Sequence, residues 1–167
     1  MDIIEAIESS AFATWVRESP SIFGYTAILS LHAIGLATIV GVNSIVAMSL
    51  LGRTPSFPLR PTLRFFPIMY LGFWINALSG LALLAANASG MLANAMFYIK
   101  MLLVFLAIIC VHLIRNLVFG DPTALDNDTP PPITRKLAVA SLVLWALAII
   151  AGRLVSYPNF VETWFGI

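Results

Sequence analysis

Long runs of this chain carry no charge at all. No Asp, Glu, Lys or Arg occurs from Pro20 to Gly52, from Phe65 to Ile99, from Met101 to Ile114 or from Leu137 to Gly152. A helix needs about 20 apolar residues to cross the ~30 Å hydrocarbon core of a bilayer. The runs supply four such helices, with Lys100 as an interruption near the start of the third. Composition agrees: 10% of residues are charged and the mean hydropathy is +0.95, whereas a soluble domain carries about 25% charged residues. A membrane β-barrel would show alternating segments of about ten residues, and that pattern is absent. The expected fold is all-α: one integral membrane domain over residues 1–167, with spans at about 22–51, 65–86, 92–119 and 137–155. Short connections make sequential spans antiparallel neighbours, which gives an up-down four-helix bundle with the lipid bilayer as its first partner.

Ahead of the spans, residues 2–17 predict a short interfacial amphipathic helix. Ile3, Ile4, Ile7, Ala11, Phe12 and Trp15 fall on one side, and Asp2, Glu5, Glu8 and Ser9 on much of the other. Pro20 ends it. Its acids are unlike the positive start of a signal peptide, so the segment reads as mature sequence. Trp15, Tyr157 and Trp164 read as interface anchors. Orientation follows from basic residues beside the spans. Arg53, Arg60 and Arg64 follow the first span, and Arg115, Arg135 and Lys136 flank the loop after the third; the N-terminal segment offers Arg17. Both basic loops are therefore expected in the cytoplasm and both termini outside.

Several function classes drop out. The net charge is +1 with no basic patch, which gives nucleic acid no purchase. Cys110 is the only cysteine, so an internal disulfide or a cysteine-based metal site is excluded. No Walker loop, HExxH, GxSxG or CxxC occurs.

What remains is a handful of polar residues inside the spans, where such groups face the bundle interior or mark function. His32 and Asn43 are eleven positions apart, three helical turns plus roughly 20°, and share a face with Gly35, Ile39 and Val46. Gly35 lets a neighbouring helix or a flat cofactor come close beside His32. His32 and Lys100 each lie roughly 6 Å outward of their span midpoints. With Arg153 they make a positive cluster that has no carboxylate partner within the spans. A haem propionate, a lipid headgroup or a carboxylate substrate would neutralise it. The bland alternatives are a His32 hydrogen-bonded across helices, and a Lys100 and an Arg153 that snorkel to the outer interface.

His112 is the second of two histidines. Two histidines on facing helices of a bundle point to haem b with both as iron ligands. The estimated depths oppose this, with His112 about 12 Å inward and His32 about 6 Å outward; a position at the interface beside Arg115 suits His112 as well. On the second span Gly72, Asn76 and Gly80 recur every four residues, which predicts close helix packing with Asn76 bonded across. Trp74 and Trp145 could border a cofactor, or else pack or face lipid.

The segments "LHAIGLATIVGVNSIVAMSLLG" and "FYIKMLLVFLAIICVHLIR" resemble a family of small bacterial four-span membrane proteins that pairs an intramembrane His-x-x-Gly helix with a later Lys-bearing helix. They are more distantly similar to HemJ-type protoporphyrinogen oxidases and CopD-type copper-resistance proteins. The resemblance implies a bacterial inner-membrane location and a site that includes His32 and Lys100, with haem b attributed to the HemJ-like family. The rest of the HemJ pattern is not evident, and the methionines do not form the cluster a copper path needs. The expectation is a haem-b-binding redox or electron-transfer subunit that exchanges electrons with quinone or a partner. Its cofactor-binding residues would be His32, Gly35, Lys100, His112 and Arg153. His32 would be the axial iron ligand, and Lys100 and Arg153 would pair with propionates. His112 would be the second iron ligand if the helices are offset, or a second copy or a partner subunit would supply one. A cofactor-free transport or metal-handling protein, or a structural subunit of a larger membrane complex, are the competing expectations.

Overall fold

The computed structural model describes residues 3–52, 59–120 and 131–157. Among them every regular element is helical: α1 (Ile3–Glu8), α2 (Ala11–Glu18), α3 (Tyr25–Leu50), α4 (Leu59–Thr62), α5 (Phe66–Ala86), α6 (Ala88–Leu92), α7 (Ala95–Phe119) and α8 (Pro132–Leu154). A 3-10 turn at Leu63–Phe65 joins α4 to α5. Helices α3, α5, α7 and α8 are long and apolar enough to cross a membrane. Their outward faces carry Leu71, Leu78, Leu102, Phe105, Val143 and Ile150, each more than half exposed. Water does not tolerate such a surface and lipid does. The chain is a multi-pass membrane protein.

Local chemistry sets the helix ends. Asn94 is extended and its side chain accepts from Met96 N at 2.9 Å, so α7 begins at Ala95 rather than near 92. Pro132 occupies the first position of α8, which starts there rather than near 137. Arg135 and Lys136 therefore lie within the helix: charge marks the membrane boundary, not the helix boundary. The amphipathic segment is two helices. Ser10 breaks it, and its Oγ accepts from Ala13 N at 3.2 Å to cap α2. Ala13 and Val16 face the protein and are fully buried, whereas Ile3, Phe12 and Trp15 point outward. Its large apolar side thus faces away from the bundle, as an interfacial helix requires. Within the spans, Ser30, Thr38, Ser44 and Ser49 return their hydroxyl protons to the carbonyl four residues back.

The four spans form two antiparallel hairpins. Helix α3 packs along α5, α7 packs along α8, and the hairpins meet chiefly along α3 and α8. The backbones of α5 and α7 stay apart although these spans are consecutive, with α6 between them in the chain. Near one end Phe66 packs edge-on against Phe119 at 5.1 Å, and Arg115 Nη1 donates to the Tyr70 hydroxyl at 2.6 Å. Arg64, Arg115, Arg135 and Lys136 belong to this basic end. Arg53 and Trp164 lie outside the described residues. At the opposite end α1 and α2 clasp the α5–α6 junction. Arg17 Nη1 donates to the Ala86 carbonyl at the end of α5 (3.1 Å), and Glu8 Oε2 accepts from Ser89 N at the start of α6 (3.1 Å). Each charge suits the helix terminus it meets.

Candidate functional site

His32 owes its position to three residues of α5. A side chain at Gly80 would place its Cβ 3.0 Å from His32 Cε1, so the glycine makes the gap through which the ring reaches α5. There Nδ1 lies 2.9 Å from the Asn76 carbonyl oxygen. Asn76 answers with its own side chain: Nδ2 donates to the His32 carbonyl at 2.8 Å. The Ser79 hydroxyl stands 3.3 Å from Nδ1 and gives its proton to the Ile75 carbonyl at 2.6 Å. A carbonyl can only accept, so this bond requires the proton on Nδ1, and in the neutral ring Nε2 then carries the lone pair. Nε2 has no hydrogen-bond partner among the described residues. Bonding of one ring nitrogen to a carbonyl is how proteins orient a histidine for a metal on the other.

The space expected beside Gly35 is filled. A Cβ on Gly35 would lie 2.6 Å from Asn76 N and 2.7 Å from the Gly72 carbonyl oxygen, and one on Gly72 would lie 2.8 Å from Thr38 Cβ. The two backbones touch, so Gly35 makes room for α5 and none for a flat cofactor. Further along α3 the polar face turns to α8, where Asn43 Nδ2 donates to Ser141 Oγ at 3.2 Å.

Lys100 comes from the other hairpin. Its stem lies on Gly152 of α8, with Cε 3.4 Å from where a Cβ would be. Its ammonium has no hydrogen bond or ion pair among the described residues. Ile39 and Trp145 line one cavity, seven residues from His32 and from Gly152, so the structure sets His32 and Lys100 at one level of the bundle on different hairpins. It does not add Arg153, which is exposed, donates to the Tyr157 hydroxyl at 2.7 Å and lies over that ring at 4.9 Å. Nor does it add His112, which is exposed and whose Nε2 is 3.0 Å from Asn116 Nδ2 of its own helix. Val111 and Ile39 border one cavity, and His32 is seven residues beyond Ile39, so the two histidines differ in depth by roughly 10 Å. No group of three metal-ligating side chains occurs among the described residues.

That cavity is what sequence reasoning did not assemble. It lies between the hairpins, about 350 Å³ in volume, with Phe73, Trp74, Ile108 and Trp145 among its walls. Trp145 is 2% exposed, and its Nε1 is buried with no hydrogen-bond partner among the described residues. An unmet buried donor costs about 1–3 kcal/mol. Trp74 and Trp145 were visible in the sequence as isolated aromatics, but nothing in the spacing of two different spans says that they share a wall.

Comparison with protein-family models, with curated proteins and with solved structures gave no match.

Proposed function

We propose that this protein is a small redox subunit of the bacterial inner membrane that binds haem b through His32 and takes part in electron transfer. The observation that carries the reading is the His32 ring itself, held by Nδ1 on the Asn76 carbonyl with Nε2 free. The residues present fit one axial ligand: a neutral imidazole of fixed tautomer, backed by a carbonyl. They also fit an anionic edge, since Lys100, at the same level, has no ion pair among the described residues. When bound, the haem would supply a one-electron centre. The chain's own residues orient the imidazole, offer a counter-charge to a propionate and keep the surroundings apolar. His112 is too far along the bundle to share the iron, so a second axial ligand, if the iron takes one, belongs to a second copy or a partner subunit. The basic residues gathered at one end favour that end in the cytoplasm, with α1, α2 and both termini outside.

The protein purified in mild detergent from haem-replete cells is expected to show a Soret band that shifts on reduction. A colourless preparation overturns the haem reading. A second reading rests on Lys100 alone: its unpaired ammonium would bind an anion in a transport protein that has no cofactor. A colourless protein whose thermal stability rises with added carboxylates or phosphate, and whose Lys100→Met variant loses that response, would favour it.

A further inference from the structure

We propose that the outward face of α7 is the interface between two copies of this chain, paired about a two-fold axis along the membrane normal, with His112 and Asn116 of each copy hydrogen-bonded to those of the other. The pairing uses α7, whereas His32 stands on α3 in the other hairpin, so it does not depend on haem.

Three observations select a second copy. The first is unmet chemistry on a lipid-facing surface. Asn116 Nδ2 donates to His112 Nε2 at 3.0 Å, so in the neutral ring Nδ1 carries the proton. That N–H and the Asn116 Oδ1 have no hydrogen-bond partner among the described residues, and both side chains are exposed. The midpoint of α7 is Ala107. His112 is then roughly 8 Å and Asn116 roughly 14 Å from mid-helix, within the half-thickness of about 15 Å of a hydrocarbon core. Lipid tails can meet neither a donor nor an acceptor, whereas a polar side chain of another helix meets both. In the same half of the bundle the other spans expose side chains such as Met48, Trp74 and Val143, none of which carries both a donor and an acceptor.

The second observation is that the pair is its own complement. A two-fold axis along the membrane normal can set the Nδ1–H of each copy opposite the Oδ1 of the other. Two identical bonds result, as an isologous interface requires. The third is pattern. Tyr98, Leu102, Phe105, Ile109, His112 and Asn116 follow one another at alternating steps of four and three, the 3.5-residue repeat of a left-handed helix pair. All six are exposed, on the span that is the least buried of the four and packs along α8 alone among them. Large apolar side chains make up most of the seam. The polar pair at one end sets its register, as a single Asn does in a coiled coil.

The test is cysteine cross-linking in native membranes. Cys110 is the only cysteine, so Cys110→Ser gives a clean background. In a parallel pair each seam residue meets its own counterpart. Phe105→Cys and Ile109→Cys are therefore expected to form disulfide-linked dimers on mild oxidation, at about tenfold the yield of Leu78→Cys on α5 and Val143→Cys on α8. Both control positions are more than half exposed. Light scattering in mild detergent is expected to give the mass of two chains. His112→Ala combined with Asn116→Ala removes the reciprocal bonds and should raise the dissociation constant about tenfold. Should the double variant fail to fold, the cysteine pattern decides alone. Cross-linking on the seam no higher than at the controls overturns the proposal, because lipid then covers the face. Cross-linking of the seam cysteines to a different protein overturns it, as does a double variant that pairs as tightly as the native chain. His32→Ala should pair unchanged, so failure of the haem reading and failure of this one are separate results.

Discussion

Between α3 and α5 two backbones touch, and a cross-helix network of His32, Asn76 and Ser79 seals the contact. Between α7 and α8, at the same level, a lysine stem lies on Gly152 at ordinary contact distance. Both hairpins use glycine, but for opposite ends. In the first, glycine removes distance so that polar groups reach one another and lock. In the second, it clears a groove for a long side chain whose charged tip has no partner among the described residues. A membrane interior offers no water to rescue a polar group. The locked hairpin therefore reads as scaffold that fixes one ring nitrogen, and the open one as the source of a charge still to be matched.

The sharpest way to break that contrast is alanine at each glycine. Gly35→Ala drives a methyl against the backbone of α5, which cannot yield, and should cost about 3 kcal/mol, the upper part of the usual overpacking range. Thermal unfolding in detergent would read it as a large loss. Next comes Asn76→Ala, which removes the side-chain bond to the His32 carbonyl at 2.8 Å. Polar cross-helix bonds in membranes are worth about 0.6–2 kcal/mol each, so a loss of about 1 kcal/mol is expected. Gly152→Ala meets only the flexible stem of Lys100 and should change stability by under about 0.5 kcal/mol. If Gly152→Ala proves as damaging as Gly35→Ala, the two hairpins do not differ in the way described.

The smallest effect expected lies outside the spans. Hydrogen bonds from the Ser89 side chain and backbone, and more weakly the charge of Arg17, hold the Glu8 carboxyl below its ordinary value. A carboxylate with a lowered folded pKa contributes stability that is fully present above the unfolded value and is lost as pH falls through the folded one. Hydrogen exchange at Ser89 N should therefore be slowed at neutral pH and quicken on acidification through the carboxylate range. Glu8→Gln should flatten that dependence.

Much of this was legible in the chain. The four charge-free runs specify four spans, and the four-residue rhythm of Gly72, Asn76 and Gly80 announces a close helix contact with Asn76 bonded across it. Depth along each helix is also readable, which is why His32 and Lys100 come out level and His112 does not. What the sequence leaves open is how far each helix is rotated against its neighbour. Gly35 can admit a cofactor or a helix equally well, and the structure assigns it to α5. Arg153 has the depth of the His32 site but not the direction, because Tyr157 one turn on offers its hydroxyl and ring. The break at Ser10 was hidden because the apolar pattern runs through it. The cavity around Trp145 needs four helices at once, and no periodicity within one helix records that.

The account turns on His32 being the histidine whose Nδ1 is held on the Asn76 carbonyl while Nε2 has no hydrogen-bond partner among the described residues. Absorption spectra of His32→Ala and His112→Ala, purified side by side with the native protein, test this most directly. Loss of the haem bands in His32→Ala with near-native bands in His112→Ala is the result the structure leads to. Haem retained without His32, or lost with His112 alone, would contradict it.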